Sequence, residues 1–284
     1  MTTARDRVSP PVALAIAGSD SGGGAGIQAD LKAMTAHGVF GASVVTATTA
    51  QNTRGVRDVH AVPPGHVASQ CDAVVDDFEV GAVKTGMLAT AETVETVTGL
   101  VAAVEAPVVV DPVMVAASGD RLLSPEAEAA YEGLIEAATL VTPNADEAEV
   151  LVDAPVETPA DAERAGRELV DAGADAALIK GGHIDDGERV TDTLVVESGR
   201  GDGGAGDSDS AIALRFENPR VATDATHGSG CALSSAIAAR LARGEPLREA
   251  VAAAVDGMGA AIRRRYDVGE GPGAVNPTAF DGGA

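Results

Sequence analysis

The residues of this 284-residue chain most able to do chemistry stand at turns that follow short apolar runs. In DATHGSGCALSSAIAARLARG, from Asp224, the small residues Gly228, Ser229 and Gly230 lead directly into a long apolar helix pattern. Such a turn aims backbone N–H groups, at the positive end of a helix dipole, toward one point, and that arrangement binds a phosphate or a phosphoryl group in transit. Cys231 falls in the first helical turn, where a thiolate forms more easily; the bland alternative is a buried cysteine in a glycine-rich turn. In AIAGSDSGGGAGIQADLKA, from Ala15, glycines would let the backbone approach a ligand closely. Asp30, one helical turn beyond Gly26, would point back into the cleft or be solvated. Asp111 closes the apolar run VVV and sits where a carboxylate can serve Mg2+. Asn144 and Glu147, in TPNADEAEVL, follow another run; Glu147 is a metal carboxylate or the cap of its own helix. Lys180 stands before two glycines, facing phosphate or snorkelling, and Lys84 stands two residues before Gly86. Lys32, Lys84 and Lys180 are the only lysines and none follows a glycine, so a P-loop is excluded.

The elements that must position these groups alternate in type. Runs beginning at Val12, Ala42, Val80, Pro107, Thr139 and Ala176 read as strands, several apolar throughout, as in strands covered on both faces. Helical patterns lie between them: one ending at Gly38, one from Thr90, one with Thr158 as N-cap, Pro159 next and Gly173 at the C-cap, then two from Gly228 and Pro246. The alternation predicts an α/β fold with a mostly parallel sheet and ligands at the carboxyl ends of its strands. TDTLVVE and AIALRFE read as a hairpin around the acidic surface loop 199–210. That loop also spells G-x-G-x-x-G from Gly201 to Gly206, without the helix a dinucleotide site needs. No linker divides the chain, so residues 1–284 are expected as one domain, with a flexible tail after 266.

Composition removes several classes of function. Hydrophobic residues make up 45% and charged residues 22%, so a folded core is expected. Only 2% are aromatic and tryptophan is absent, which disfavours base stacking, and a formal charge of −23 would repel nucleic acid. Of 20 basic residues three are lysine; with the acidic excess, this pattern resembles proteins of salt-loving organisms. Cys71 and Cys231 form neither a zinc spacing nor a disulfide framework, and MTTARDRVSPP carries no apolar leader, so a cytoplasmic setting is expected. The longest uncharged stretch, residues 33–53, is too polar to span a membrane.

Seven ordered motifs, AGSDSGGGAGIQADLKA, TAQNTRGV, KTGML, DPVMVAASGD, TPNADEAEVL, KGGH and THGSGC, make the chain resemble the hydroxymethylpyrimidine/phosphomethylpyrimidine kinases of the ribokinase-like superfamily. The resemblance implies a three-layer αβα sandwich and ATP- and Mg2+-dependent phosphorylation of a pyrimidine alcohol and then of its monophosphate, for thiamine biosynthesis. It implies that Gly18, Asp30, Gln51, Met87 and Val113 line the pyrimidine pocket. Asp111 and Glu147 would serve the metal, and Lys180, Asn144 and Thr226 the nucleotide. Gly228, Ser229 and Gly230 would form the anion hole, with Cys231 as base where related sugar kinases carry Asp. A homodimer is implied as well. One departure is Ala117, where some relatives would carry Lys. The alternatives are a vitamin B6 (pyridoxal) kinase and a non-catalytic binding protein of the same fold.

Overall fold

The computed structural model describes residues 8–114, 127, 129–184, 187–197 and 211–280. The acidic loop 199–210 and the segment holding Ala117 lie outside the described residues.

The strands are β1 (Val12–Ser19), β2 (Phe40–Asn52), β3 (Gly55–Ala61), β4 (Val80–Thr85), β5 (Val108–Val110), β6 (Leu140–Val141), β7 (Ala176–Ile179), β8 (Arg189–Val196) and β9 (Ile212–Pro219). They form one sheet in the order β3-β2-β1-β4-β5-β6-β7-β8-β9. From β2 through β7 the neighbours are parallel; β3, β8 and β9 join antiparallel at the two edges. The helices are α1 (Gly26–Ala36), α2 (Pro64–Val75), α3 (Ala91–Ala102), α4 (Tyr131–Glu136), α5 (Ala145–Val152), α6 (Pro159–Asp171), α7 (Ser229–Ala242) and α8 (Leu247–Arg263). None of the described helices is long and apolar enough to cross a membrane.

Alternation along the strands builds three layers. Leu14 and Ile16 of β1 join Val83, Val108 and Val110 under α2 to α6, where Val67, Val94, Leu134 and Leu169 meet them. Their neighbours Ala13 and Ala15 face the other way, toward Met34 of α1 and Ala239 of α7. Small side chains on that face let α1 and α7 lie close to the sheet, beside the Ala236, Ile237 and Val251 cluster. This is the α/β sandwich with a mostly parallel sheet that the sequence predicts.

Local signals end the helices where expected. The Thr90 hydroxyl accepts the Thr93 N–H at 3.2 Å. Thr158 and Asp161 form a capping box before α6, and Gly173, at φ +115°, turns the chain after it. β3 and α2 are additions to the sequence reading. β3 carries no apolar alternation because its central residues face solvent, and α2 buries only Val67 and Cys71. The segment after 266, expected as a flexible tail, is described through residue 280. Tyr266 and Ala274 exchange backbone hydrogen bonds at 2.8 and 3.2 Å, and Val275, Ala279 and Phe280 are buried.

Candidate active site

The chain leaves β1 for β2 on one side and returns as β4 on the other, so a crevice opens at the carboxyl ends of β1 and β4. A cavity of about 770 Å³ lies there. Gly18, Gln51, Met87, Val113, Asp111, Asn144, Glu147, Lys180, Thr226 and residues 228–231 all line it.

On one wall the Gly18 N–H donates to the Met87 carbonyl at 3.1 Å, and the Thr46 hydroxyl donates to the same oxygen at 2.6 Å. A Cβ on Gly18 would come within 2.5 Å of Met87 Cε, so glycine is needed for that side chain to lie across the pocket floor. The Gln51 carboxamide, beside the Thr49 hydroxyl at 3.2 Å, brings both a donor and an acceptor to this wall.

On the facing wall Lys180, just beyond β7, donates to Asp111 Oδ1 at 2.9 Å and lies 3.6 Å from Glu147 Oε2. Asp111 also accepts from the Thr142 and Ser234 hydroxyls, each at 3.3 Å. Burial would raise the Asp111 carboxyl, but Lys180 and then Lys84 outweigh it and hold the group below its usual range. Glu147 goes the other way: burial, with Asp111 adding to it, raises its carboxyl against the pull of Lys180. Glu147 forms a capping box with Asn144, two bonds of 2.8 Å, and also lines the cavity.

Helix α7 begins at this wall. Gly228, at φ +79°, turns the chain into it and brings no side chain to cap it, while the Ser229 N–H donates to the Thr226 carbonyl at 3.0 Å. A Cβ on Gly230 would sit 3.1 Å from Lys180 Nζ and 3.6 Å from Asp111 Oδ2. The first turn of the helix, an ammonium and a carboxylate thus converge on one spot. Two carboxylates sharing one ammonium leave excess negative charge beside oxygen donors. That suits Mg2+, which takes one or two carboxylates plus substrate phosphates; among the described residues no group of three or more His, Cys, Asp or Glu forms a fuller cage.

Two expectations change. Asp30 does not line the cavity and is not solvated. It is fully buried behind the wall, ion-paired to the fully buried Lys84 at 2.9 Å and accepting from Ser235 at 2.8 Å. Cys231 lines the cavity, but its thiol is pushed up to about 12, not down. Burial raises it, Asp30 and Asp111 add to that, and Lys84 opposes. The glycine-rich loop after β1 borders the cavity, and in it Asp20 accepts the N–H groups of Gly22, Gly24 and Ala25 at 2.7, 3.0 and 2.9 Å. Sequence reasoning missed Asp20 and His227, which also line the cavity. The available signal was an Asp directly before S-G-G-G, the residue type that folds back on its own loop.

The family model for phosphomethylpyrimidine kinase matches residues 20–276. The chain belongs to the phosphomethylpyrimidine kinase family. It is a phosphotransferase with the ribokinase-like sandwich. It is 45% identical over 277 residues to the hydroxymethylpyrimidine/phosphomethylpyrimidine kinase of Streptomyces coelicolor, covering 97% of each chain. It is 48% identical over 265 residues to a thiamine biosynthesis bifunctional protein of Geobacter sulfurreducens, covering 93% of this chain but only 51% of that longer one. Among solved structures, the ADP complex of Bacillus subtilis pyridoxal kinase superposes with a TM-score of 0.82 at 32% identity, covering 97% of this chain and all of that one.

Proposed function

We propose that this chain transfers the γ-phosphoryl group of ATP to the hydroxymethyl oxygen of 4-amino-5-hydroxymethyl-2-methylpyrimidine, and then a second phosphoryl group to the monophosphate. The observation that carries the reading is the convergence of the first turn of α7, Lys180 and Asp111 beneath Gly230, opposite the Gly18–Gln51–Met87 wall.

In this reading Gln51 pairs with the aminopyrimidine edge, since its amide offers the donor and acceptor that edge needs. Met87 and Val113 supply apolar contact to the ring. Lys180, kept charged by Asp111 and Glu147 despite burial, balances phosphate charge; Asn144 and Thr226 border the same space. The Gly230 and Cys231 amides stabilise the equatorial oxygens as charge spreads over them. Asp111 and Glu147 would hold Mg2+, which when bound neutralises charge on the phosphate oxygens. Cys231 stands beside the anion hole and, once deprotonated, takes the hydroxyl proton. A homodimer belongs to the same reading and is checked by light scattering.

The test is turnover. Purified protein with ATP and Mg2+ should form ADP on addition of the pyrimidine alcohol or its monophosphate; no ADP with either sinks the reading. The likeness to pyridoxal kinase favours one rival, and a higher kcat/KM for pyridoxal than for the pyrimidine would decide for it.

A further inference from the structure

Acceptor and donor must be held in register before a phosphoryl group can pass between them. Gln51 and Met87 stand on the acceptor side; the 228–231 turn, Lys180 and Asp111 stand on the donor side. One segment touches both, the loop 20–25 between β1 and α1.

Its own hydrogen bonds make it stiff. Asp20 is 3% exposed and gathers three loop N–H groups. Burial would raise its carboxyl, but the bonds from His227 and the loop amides outweigh that and hold it below the usual range. Toward the acceptor, the Ser21 hydroxyl donates to the Gln51 carbonyl at 2.6 Å and accepts the Gln51 N–H at 2.8 Å. Toward the donor, His227 Nε2 lies 3.1 Å from Asp20 Oδ2. The two loops are in close contact, since a Cβ on Gly228 would fall 1.9 Å from the Gly24 carbonyl oxygen. The far side of His227 is fixed too: its carbonyl accepts the Val275 N–H at 3.1 Å. The same C-terminal segment reaches back to the hairpin tip beyond Gln51, where the Gly271 N–H donates to the Thr53 hydroxyl at 3.1 Å.

We propose that loop 20–25 is a rigid spacer, and that His227, acting through Asp20, is a positioning residue that sets the Gly230 and Cys231 amides against the acceptor held by Gln51. This rests on the phosphoryl-transfer reading above. His227 need only donate one hydrogen bond to Asp20. Misplacing reacting atoms by about 1 Å costs on the order of 10²-fold in rate, so the latch acts on kcat and on the fidelity of transfer.

The experiment compares wild type with His227→Ala, His227→Gln and Ser21→Ala. It reads kcat, both KM values, ADP formed per acceptor phosphorylated, and hydrogen exchange of the loop amides. His227→Ala is expected to lower kcat about 10- to 100-fold with each KM within about threefold. Its ADP-to-product ratio should exceed one as water takes misaligned phosphoryl groups, and its loop amides should exchange faster. His227→Gln, whose amide can donate to Asp20, should recover most of all three. Ser21→Ala should uncouple transfer from the acceptor side while leaving the Asp20 bonds protected. A His227→Ala variant with wild-type kcat, coupling and exchange overturns the spacer, as does a His227→Gln variant impaired as badly as His227→Ala. Unprotected loop amides in the wild type also overturn it, whatever the activity. Protected amides that His227→Ala exposes, in a wild type that phosphorylates no acceptor, support the spacer and sink the functional reading instead.

Discussion

Cys231 sits in the first turn of a helix, a place that favours a thiolate, yet its thiol is pushed up to about 12. The helix-end effect contributes only about 0.3–1 kcal/mol near a surface; burial among the Asp30 and Asp111 carboxylates is larger. A loose transition state loses the hydroxyl proton late, so a small thiolate fraction slows transfer without stopping it. Only the deprotonated sulfur accepts a proton, and below its pKa that fraction grows about tenfold per pH unit. The wild-type kcat is therefore expected to climb from pH 7 to pH 10, and Cys231→Ala to be slower and flat, with KM little changed. Matching profiles in pH-rate measurements would remove Cys231 as the base. Behind it, Lys84 and Asp30 form an ion pair with both side chains fully buried, and Asp30 Oδ2 has no hydrogen-bond partner among the described residues. Lys84→Met strands that carboxylate, an uncompensated buried charge worth about 3–5 kcal/mol. Urea unfolding should show this loss, and Lys84→Met/Asp30→Leu should regain much of it; a single variant as stable as wild type would show that the pair holds nothing. The positions of these two residues were legible in the sequence, at a strand end and one turn into a helix. Their partnership was not, because it depends on β4 and α1 meeting across 54 residues of chain.

At the scale of elements, the β7–β8 edge carries the turn that presents Lys180. Asp192 of β8 accepts the Gly181 N–H at 2.7 Å, and a Cβ on Gly181 would fall 2.0 Å from the Thr191 carbonyl oxygen, so the turn is tight and needs its glycine. Burial raises the Asp192 carboxyl to about 6, against the Gly181 bond and the pull of Lys180. In the unfolded chain this carboxyl titrates near 3.8, so between the two values the folded state binds the extra proton. The stability due to protonated Asp192 is full below pH 3.8 and is lost as pH rises through about 6. Asp192→Asn removes that dependence: its stability relative to wild type should rise from pH 4 to pH 6.5 and then level off, measured by urea midpoints. A constant difference across that range would refute the raised carboxyl. The elements themselves were largely readable, because strands covered on both faces are apolar throughout and helices such as α6 announce their caps. β3 and α2 were not, because each keeps a mostly exposed face and so leaves little apolar period. The partners of the glycine-rich loop were not readable either: glycine content reports backbone freedom, not which group the freed N–H atoms will meet, and here they meet Asp20.

At the scale of the whole molecule, 43 acidic residues face 20 basic ones, so even complete pairing leaves 23 carboxylates without a cation. Some pairing is visible where α6 meets β9: Glu163 binds Arg167 at 2.9 Å and Arg215 at 3.1 Å, and Arg164 binds Glu168 at 2.9 Å. Added salt weakens these exposed pairs, each worth at most about 1 kcal/mol, and also screens the repulsion among the excess carboxylates. The second effect should win, because repulsion among many like charges reaches across the surface while each pair is local. The screening length falls from about 10 Å at 0.1 M to about 3 Å at 1 M. The melting temperature is therefore expected to rise with KCl between about 0.1 and 1 M and to flatten beyond, as the screening length drops below the spacing of neighbouring charges. Lowering the pH from 7 toward 5 in dilute buffer should reproduce part of the rise by neutralising carboxylates. A melting temperature that falls or stays level as KCl is added would show that the surface pairs outweigh the repulsion. Activity should follow the same curve wherever low salt leaves part of the chain unfolded, so turnover assays of this kinase should be run on the high-salt plateau.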